Sequence, residues 1–286
     1  MKNAIEVKNI VKKYKNFTLD NVSFDVPKGY IMGFIGENGA GKTTTIKAIM
    51  NALTPNSGEI KVFGLDNKKH EVEIKEKIGF VYAEFDFFIN FKLKDIKKYI
   101  APFYKNWDEE LYQKYMKKFE LNPKSKINKI STGMKTKFAL ALALSHHAEL
   151  LILDEPTSGL DPVFRDEFLD MLLDIVQDEQ KTILFSTHIT SDLDKIADYI
   201  TYIHKGKIVF SKERDQIYEN YYVVKGDLQD LLGKEKVFIG IKKNKYGFEA
   251  LTNNVSEVKK DFGENINLER ATLEEIMVFY NRKGNK

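Results

Sequence analysis

The chain of 286 residues contains no cysteine, which excludes disulfides and thiolate metal sites and fits a reducing compartment. Long apolar runs are missing too. The longest, Phe138 to Leu144, is far shorter than the roughly 18 residues a membrane-spanning helix needs. The first residues, MKNAIEVKNI, lack the apolar segment of a secretory signal, so the expectation is a chain that is soluble or peripheral to a membrane. There is no large excess of charge of one sign. The 45 basic and 42 acidic residues leave a net +3, which demands no polyanionic partner, and no nucleic acid is expected. No internal repeat, low-complexity tract or long linker is found.

What is present starts with Ile31 to Thr45, IMGFIGENGAGKTTT. A short apolar strand, Ile31 to Ile35, runs into Gly36-Glu37-Asn38-Gly39-Ala40-Gly41-Lys42-Thr43-Thr44, and a helix is predicted from Thr43 to Leu53. The spacing G-x-x-x-x-G-K-[ST] defines a P-loop. Its backbone N–H groups turn inward around phosphate, and the helix that follows offers its positive end. Lys42 then reaches the β- and γ-phosphates of ATP, and the Thr43 hydroxyl is the expected Mg²⁺ ligand.

Around this loop the pattern alternates. Val7 to Tyr14 and Thr18 to Val26 read as an antiparallel hairpin, Glu59 to Phe63 and Ile78 to Tyr82 as strands, and Asp66 to Lys77 as a charged connection. From about 84 to 147 the periodicity becomes helical: Leu93 to Phe103, Asp108 to Phe119 with Asp108 as N-cap, and Thr132 to Ser145. The α/β alternation then resumes with strand Leu150 to Leu153, helix Pro162 to Val176, strand Thr182 to Ser186 and a hairpin from Tyr199 to Phe210. Beyond Glu213 come short strands, Tyr221 to Lys225, Val237 to Lys242 and Phe248 to Leu251, and a closing helix begun by the capping box Thr272-Leu273-Glu274-Glu275. The expected architecture is α/β. It comprises a P-loop NTPase with a mixed sheet core, an antiparallel β subdomain and a helical insertion over residues 1–212, and a small α+β appendage over 213–286.

A second stretch carries chemistry. Leu150 to Leu153 delivers Asp154 and Glu155 at a strand end. Adjacent residues on a strand point to opposite sides, so the two carboxylates are assigned separate tasks: Asp154 to Mg²⁺, Glu155 to the attacking water.

With these motifs the chain resembles the nucleotide-binding subunit of an ABC transporter, from about residue 4 to 212. Ile130-Ser131-Thr132-Gly133-Met134 resembles the signature sequence, Pro156 to Asp161 resembles the segment leading into the D-loop, and Phe185-Ser186-Thr187-His188 resembles the switch strand and its histidine. The resemblance implies that Tyr14 stacks on adenine, with Phe17 as the competing aromatic, and that Ser131 and Gly133 face the γ-phosphate held by a second ATPase subunit, identical or a paralogue. It further implies that His188 fixes the catalytic geometry and that Asp161 communicates between two ATP sites. Ser131 is equally an ordinary N-cap, and His70, His146, His147 and His204 are read as structural.

The chain departs from the family where a glutamine is usual, since that position falls on Ala83. Glu84 is the candidate replacement as a Mg²⁺ contact, with water as the alternative. Thr132 and Met134 also alter the signature. The implied function is an ATP-hydrolysing subunit on the cytoplasmic face of the cell membrane, powering a separate permease. The groove for that permease is expected along the helical insertion and Glu84 to Phe88, and the subfamily resemblance is to exporters of drugs, bacteriocins and peptides. The alternatives are a soluble ATPase acting on ribosomes or nucleic acid, and an ATP-dependent regulator that hydrolyses weakly.

Overall fold

The structure, a computed structural model, describes residues 2–82, 88–179 and 181–282. The chain divides into two compact units, Met1–Ser211 and Lys212–Lys286.

In the first unit, β1 (Asn3–Lys13) and β2 (Thr18–Pro27) form an antiparallel hairpin. They join β4 (Ser57–Val62) and the short β5 (Leu65–Asp66) in a sheet of order β2-β1-β4-β5. One face alternates into the core through Ile5, Val7, Leu19, Val22, Phe24, Ile60 and Val62, the period-2 pattern of a half-buried sheet. A second sheet holds six strands in the order β10-β9-β3-β8-β7-β6. Its members are β3 (Ile31–Ile35), β6 (Ile78–Val81), β7 (Leu150–Asp154), β8 (Thr182–Thr187), β9 (Tyr199–His204) and β10 (Lys207–Glu213).

Strands β3 and β7 are buried at every residue, as parallel strands covered on both faces must be. The parallel registers β3–β8 and β8–β7 bring Ile35, Thr187 and Asp154 to one edge of the sheet, so the segments that follow these strands open on the same side.

Helix α1 (Lys42–Ile49) follows the P-loop directly, and α2 (Glu71–Glu76) lies within the charged connection. The first helix stops before the expected Leu53 because the chain turns at Asn51, which has a positive φ of 53°. Between β6 and β7 come α3 (Leu93–Ile100), α4 (Glu109–Lys118) and α5 (Thr132–Leu144). Asp108 caps α4, its carboxylate accepting from Leu111 N–H at 2.8 Å. The apolar run Phe138 to Leu144 is buried at all seven positions of α5, a helix enclosed on every side. Among the described residues no helix is long and apolar enough to cross a membrane. Helices α6 (Pro162–Glu179) and α7 (Thr190–Ile196) complete the unit.

The second unit has its own sheet, β12-β13-β11-β14, made of β11 (Tyr222–Gly226), β12 (Gly240–Asn244), β13 (Gly247–Thr252) and β14 (Asn267–Arg270). With α8 (Arg214–Asn220), α9 (Val255–Phe262) and α10 (Leu273–Arg282) it encloses a small core around Val224, Phe248, Ala250 and Val258. The capping box of α10 is formed in both directions: Thr272 N–H donates to Glu275 Oε2 at 2.8 Å and Glu275 N–H to Thr272 Oγ1 at 3.2 Å.

Candidate functional site

The loop 36–41 connects a buried strand to a helix whose N-cap, Gly41, sits at φ 114°. A side chain there would be strained, and its Cβ would also lie 2.6 Å from Leu19 and 2.9 Å from Phe17, so only glycine serves. The first turn of α1 leaves its N–H groups aimed at whatever anion fills the loop. Lys42 is buried and folds back over the loop. Its ammonium donates to Gly36 O at 2.7 Å and Glu37 O at 3.3 Å, and pairs with Glu155 Oε1 at 3.1 Å.

The Thr43 hydroxyl donates to Asp154 Oδ2 at 2.9 Å. The other carboxylate oxygen, Oδ1, is buried with no hydrogen-bond partner among the described residues. Burial raises the pKa of Asp154, with the Thr43 contact opposing it. A buried oxygen without a partner beside a hydroxyl is suited to a hard cation such as Mg²⁺, which takes few protein ligands and relies on substrate phosphates.

Glu155 does not continue the strand. Its φ is 50°, and its N–H donates to Ser186 O at 3.0 Å. The expected separation of Asp154 and Glu155 onto opposite sides is therefore corrected: both carboxylates return to adjacent P-loop residues, Asp154 to Thr43 and Glu155 to Lys42. The second Glu155 oxygen, Oε2, meets His188 Nδ1 at 2.8 Å.

A cleft of 550 Å³ is lined by Tyr14, Asn16 and Phe17, by Asn38, Gly39, Gly41, Lys42, Thr43 and Thr44, and by Glu155. Both aromatic rings line the cleft: Tyr14 is 47% exposed, and Phe17 packs against the core. Gly36 and Ala40 shape the loop from behind. Glu37 turns away to His204, whose Nδ1 lies 3.3 Å from Glu37 Oε1; this contact, absent from the sequence reading, ties the loop to β9.

Ser131, Thr132, Gly133 and Met134 are not among the residues that line this cleft. Ser131 caps α5, accepting from Met134 N–H at 3.2 Å, and Ser131 and Thr132 are exposed. Gly133 packs against Phe164, and a Cβ on it would sit 2.5 Å from that ring. Asp161 caps α6 through Phe164 N–H at 3.0 Å. A buried network nearby was not foreseen: Asp192 accepts from Thr157 Oγ1 at 2.7 Å and from Arg165 Nε at 2.5 Å. Ala83 and Glu84 lie outside the described residues.

Fold and site thus define a P-loop nucleotide-binding protein of α/β class. The ABC transporter family profile matches residues 19–158. The chain is similar to the bacitracin transport ATP-binding protein BcrA of Bacillus licheniformis, at 35% identity over 73% of this chain and 69% of that one. It is also similar to the lantibiotic transport ATP-binding protein SrtF of Streptococcus pyogenes, at 33% identity over 74% and 91%. The ABC transporter ATP-binding protein NatA of Bacillus subtilis is 32% identical over 74% and 87%. Among solved structures, one described as the ATP binding subunit of an ABC transporter superposes with a TM-score of 0.67 and 26% identity, over 76% of this chain and 92% of that one. The chain belongs to the ABC transporter family, among its ATP-binding ATPase subunits.

Proposed function

We propose that the chain hydrolyses Mg²⁺-ATP between two ATPase subunits and so drives a separate membrane permease that exports a peptide antibiotic or related compound. The observation that carries the reading is the pairing of Thr43 with Asp154 and of Glu155 with both Lys42 and His188, Lys42, Thr43 and Glu155 lining one cleft. ATP entering the loop draws the Lys42 ammonium from the Gly36 and Glu37 carbonyls to its phosphates. Tyr14 stacks on the adenine. Thr43 and Asp154 would hold Mg²⁺, which neutralises phosphate charge. Glu155, released from Lys42, accepts the proton of the attacking water, and His188 holds its carboxylate in place.

The exposed Ser131 end of α5 supports the dimeric part of the reading, since a helix N-terminus whose capping hydroxyl still has its own O–H to donate suits a phosphate presented by a second subunit. ATP acts by binding the closed pair more tightly than the open one. For the permease contact, Phe88, Phe91 and Tyr99 form an aromatic cluster on the helical insertion, with ring centroids 5.6 to 6.4 Å apart. Phe80 and Tyr82 border an apolar cavity of 360 Å³ with Ile46 and Met50. A short amphipathic helix from the permease is the partner such surfaces suit. The transport reading of cargo follows the similarity to bacitracin and lantibiotic transport proteins.

The test is expression with the neighbouring genes, extraction in mild detergent and identification of what co-purifies. A polytopic membrane protein whose presence raises ATP turnover supports the proposal. Negligible turnover with and without it favours the regulator, and recovery of ribosomes or nucleic acid favours the soluble alternative.

A further inference from the structure

The net charge of +3 conceals a strong local asymmetry. Residues 88–137 hold thirteen lysines, no arginine and five acidic residues, so elsewhere acids outnumber bases. The fold gathers part of this charge on one face. The start of α3 is joined to the segment after α4: Lys92, the extended N-cap, pairs with Lys126 in a β-bridge, and in the first turn Leu93 N–H donates to Ser125 O and Lys94 N–H to Pro123 O, both at 3.0 Å. Lys92 and Lys94, at the start of α3, therefore adjoin Lys124 and Lys126 on the segment after α4, and all four are exposed. Lys117 and Lys118, at the end of α4, are exposed as well. None of the six has an ion pair among the described residues.

Two features separate this face from an ordinary solvated surface. Lys92 and Lys126 are directly opposed across a β pair, where like charges are destabilising. Lys117 and Lys118 have a local use, since cations at a helix C-terminus complement its dipole, but Lys92 and Lys94 stand at a helix N-terminus, where they gain nothing from it. The all-lysine composition also bears on the partner. Lysine is a hydrated point charge on a flexible stem, suited to a diffuse anionic layer, whereas a defined carboxylate or phosphate pocket favours the bidentate fork of arginine.

We infer that this lysine face seats the protein on the anionic phospholipid headgroups beside its permease. The inference rests on the proposed role as a peripheral permease subunit. Each lysine near such a surface strengthens association severalfold, and the effect decays within about 10 Å at ordinary salt.

The experiment is flotation of the full-length protein with vesicles of phosphatidylcholine alone or mixed with phosphatidylglycerol, across a salt series. Binding should require phosphatidylglycerol and fall as salt rises. Replacing Lys92, Lys94, Lys124 and Lys126 together by glutamine should weaken it on the order of a hundredfold or more, while replacement by arginine retains it. Neither change should alter ATP turnover in solution, so loss of turnover would concern the catalytic reading and loss of flotation this one. Equal binding to neutral and anionic vesicles, or full binding by the glutamine variant, overturns the inference. Displacement of the protein from the vesicles by an RNA duplex at equal phosphate concentration overturns it in favour of a nucleic-acid partner.

Discussion

His188 Nδ1 lies 2.8 Å from Glu155 Oε2, while the other oxygen of the same carboxylate lies 3.1 Å from the Lys42 ammonium. One side chain thus joins the end of β8 to the P-loop. It can do so because Glu155 adopts a left-handed backbone at φ 50°, a conformation that costs a non-glycine residue on the order of 1–3 kcal/mol. The Glu155 N–H bond to Ser186 O helps to hold that turn.

The pairing makes Glu155 the proton acceptor to test first. Glu155→Gln keeps the shape and the possibility of a contact with His188 but removes the basic oxygen. Turnover should fall by about 10² to 10⁴, and the ATP-bound form should accumulate as a dimer on size exclusion. Unimpaired turnover in this variant would assign the proton to another group.

Gly133 offers a prediction that separates packing from phosphate contact. Its hydrogen faces Phe164, and a methyl group would meet that ring at 2.5 Å. Gly133→Ala should therefore push the start of α5 away and raise the ATP concentration needed for half-maximal rate. Adding Phe164→Leu makes room, and recovery in the double variant is the expected outcome. If the double variant is no better than Gly133→Ala, the glycine is required by a partner subunit's nucleotide alone.

The parts of this protein that were legible in its sequence are those encoded by neighbours in the chain. The P-loop, the Asp108 cap and the Thr272–Glu275 capping box each need only a few adjacent residues, and all three stand where expected. Helix α2 was hidden because only Ile74 of its six residues is buried, leaving no apolar period. Strand β12 begins at Gly240 rather than Val237, since residues 235–237 form a 3₁₀ turn. Helices α7, α8 and α9 and strand β14 are too short to impose a clear apolar period on their residues. The convergence of Asp154 and Glu155 depends on a positive φ at a glutamate, a residue type that does not advertise it. The pairs His204–Glu37 and Asp192–Arg165 join residues far apart in sequence, which no local pattern reports.

Asp192 lets the buried network be weighed. Its side chain is 1% exposed, with Thr157 and Arg165 as partners. Asp192→Ala leaves a guanidinium and a hydroxyl without their acceptor, which should cost about 3 kcal/mol. Asp192→Asn, retaining one acceptor oxygen, should cost less. Denaturant titration of the full chain measures both, and a cost under about 0.5 kcal/mol for alanine would mean that solvent replaces the carboxylate freely.

His146 gives the fold a dependence on pH. The imidazole is buried, stacked on Tyr104 at a centroid distance of 3.8 Å, with Nε2 3.0 Å from Ile78 O and Nδ1 3.2 Å from Leu142 O. Burial dominates and holds its pKa below the ordinary 6.5, although the two carbonyls pull the other way and Lys181 and His147 add to the depression. A histidine with a depressed pKa is preferentially neutral in the folded chain. Its contribution is therefore fully present above 6.5 and is lost as pH falls through the lower folded value, because the unfolded chain takes up the proton first. Melting temperature should decline over that acidic window, and His146→Gln, which cannot titrate but still offers an amide donor, should flatten the decline. His204 shifts in the same direction, chiefly through burial, and remains in both proteins, so only the difference between the two curves reports on His146. Parallel curves would show that protonation of this ring is neutral for folding.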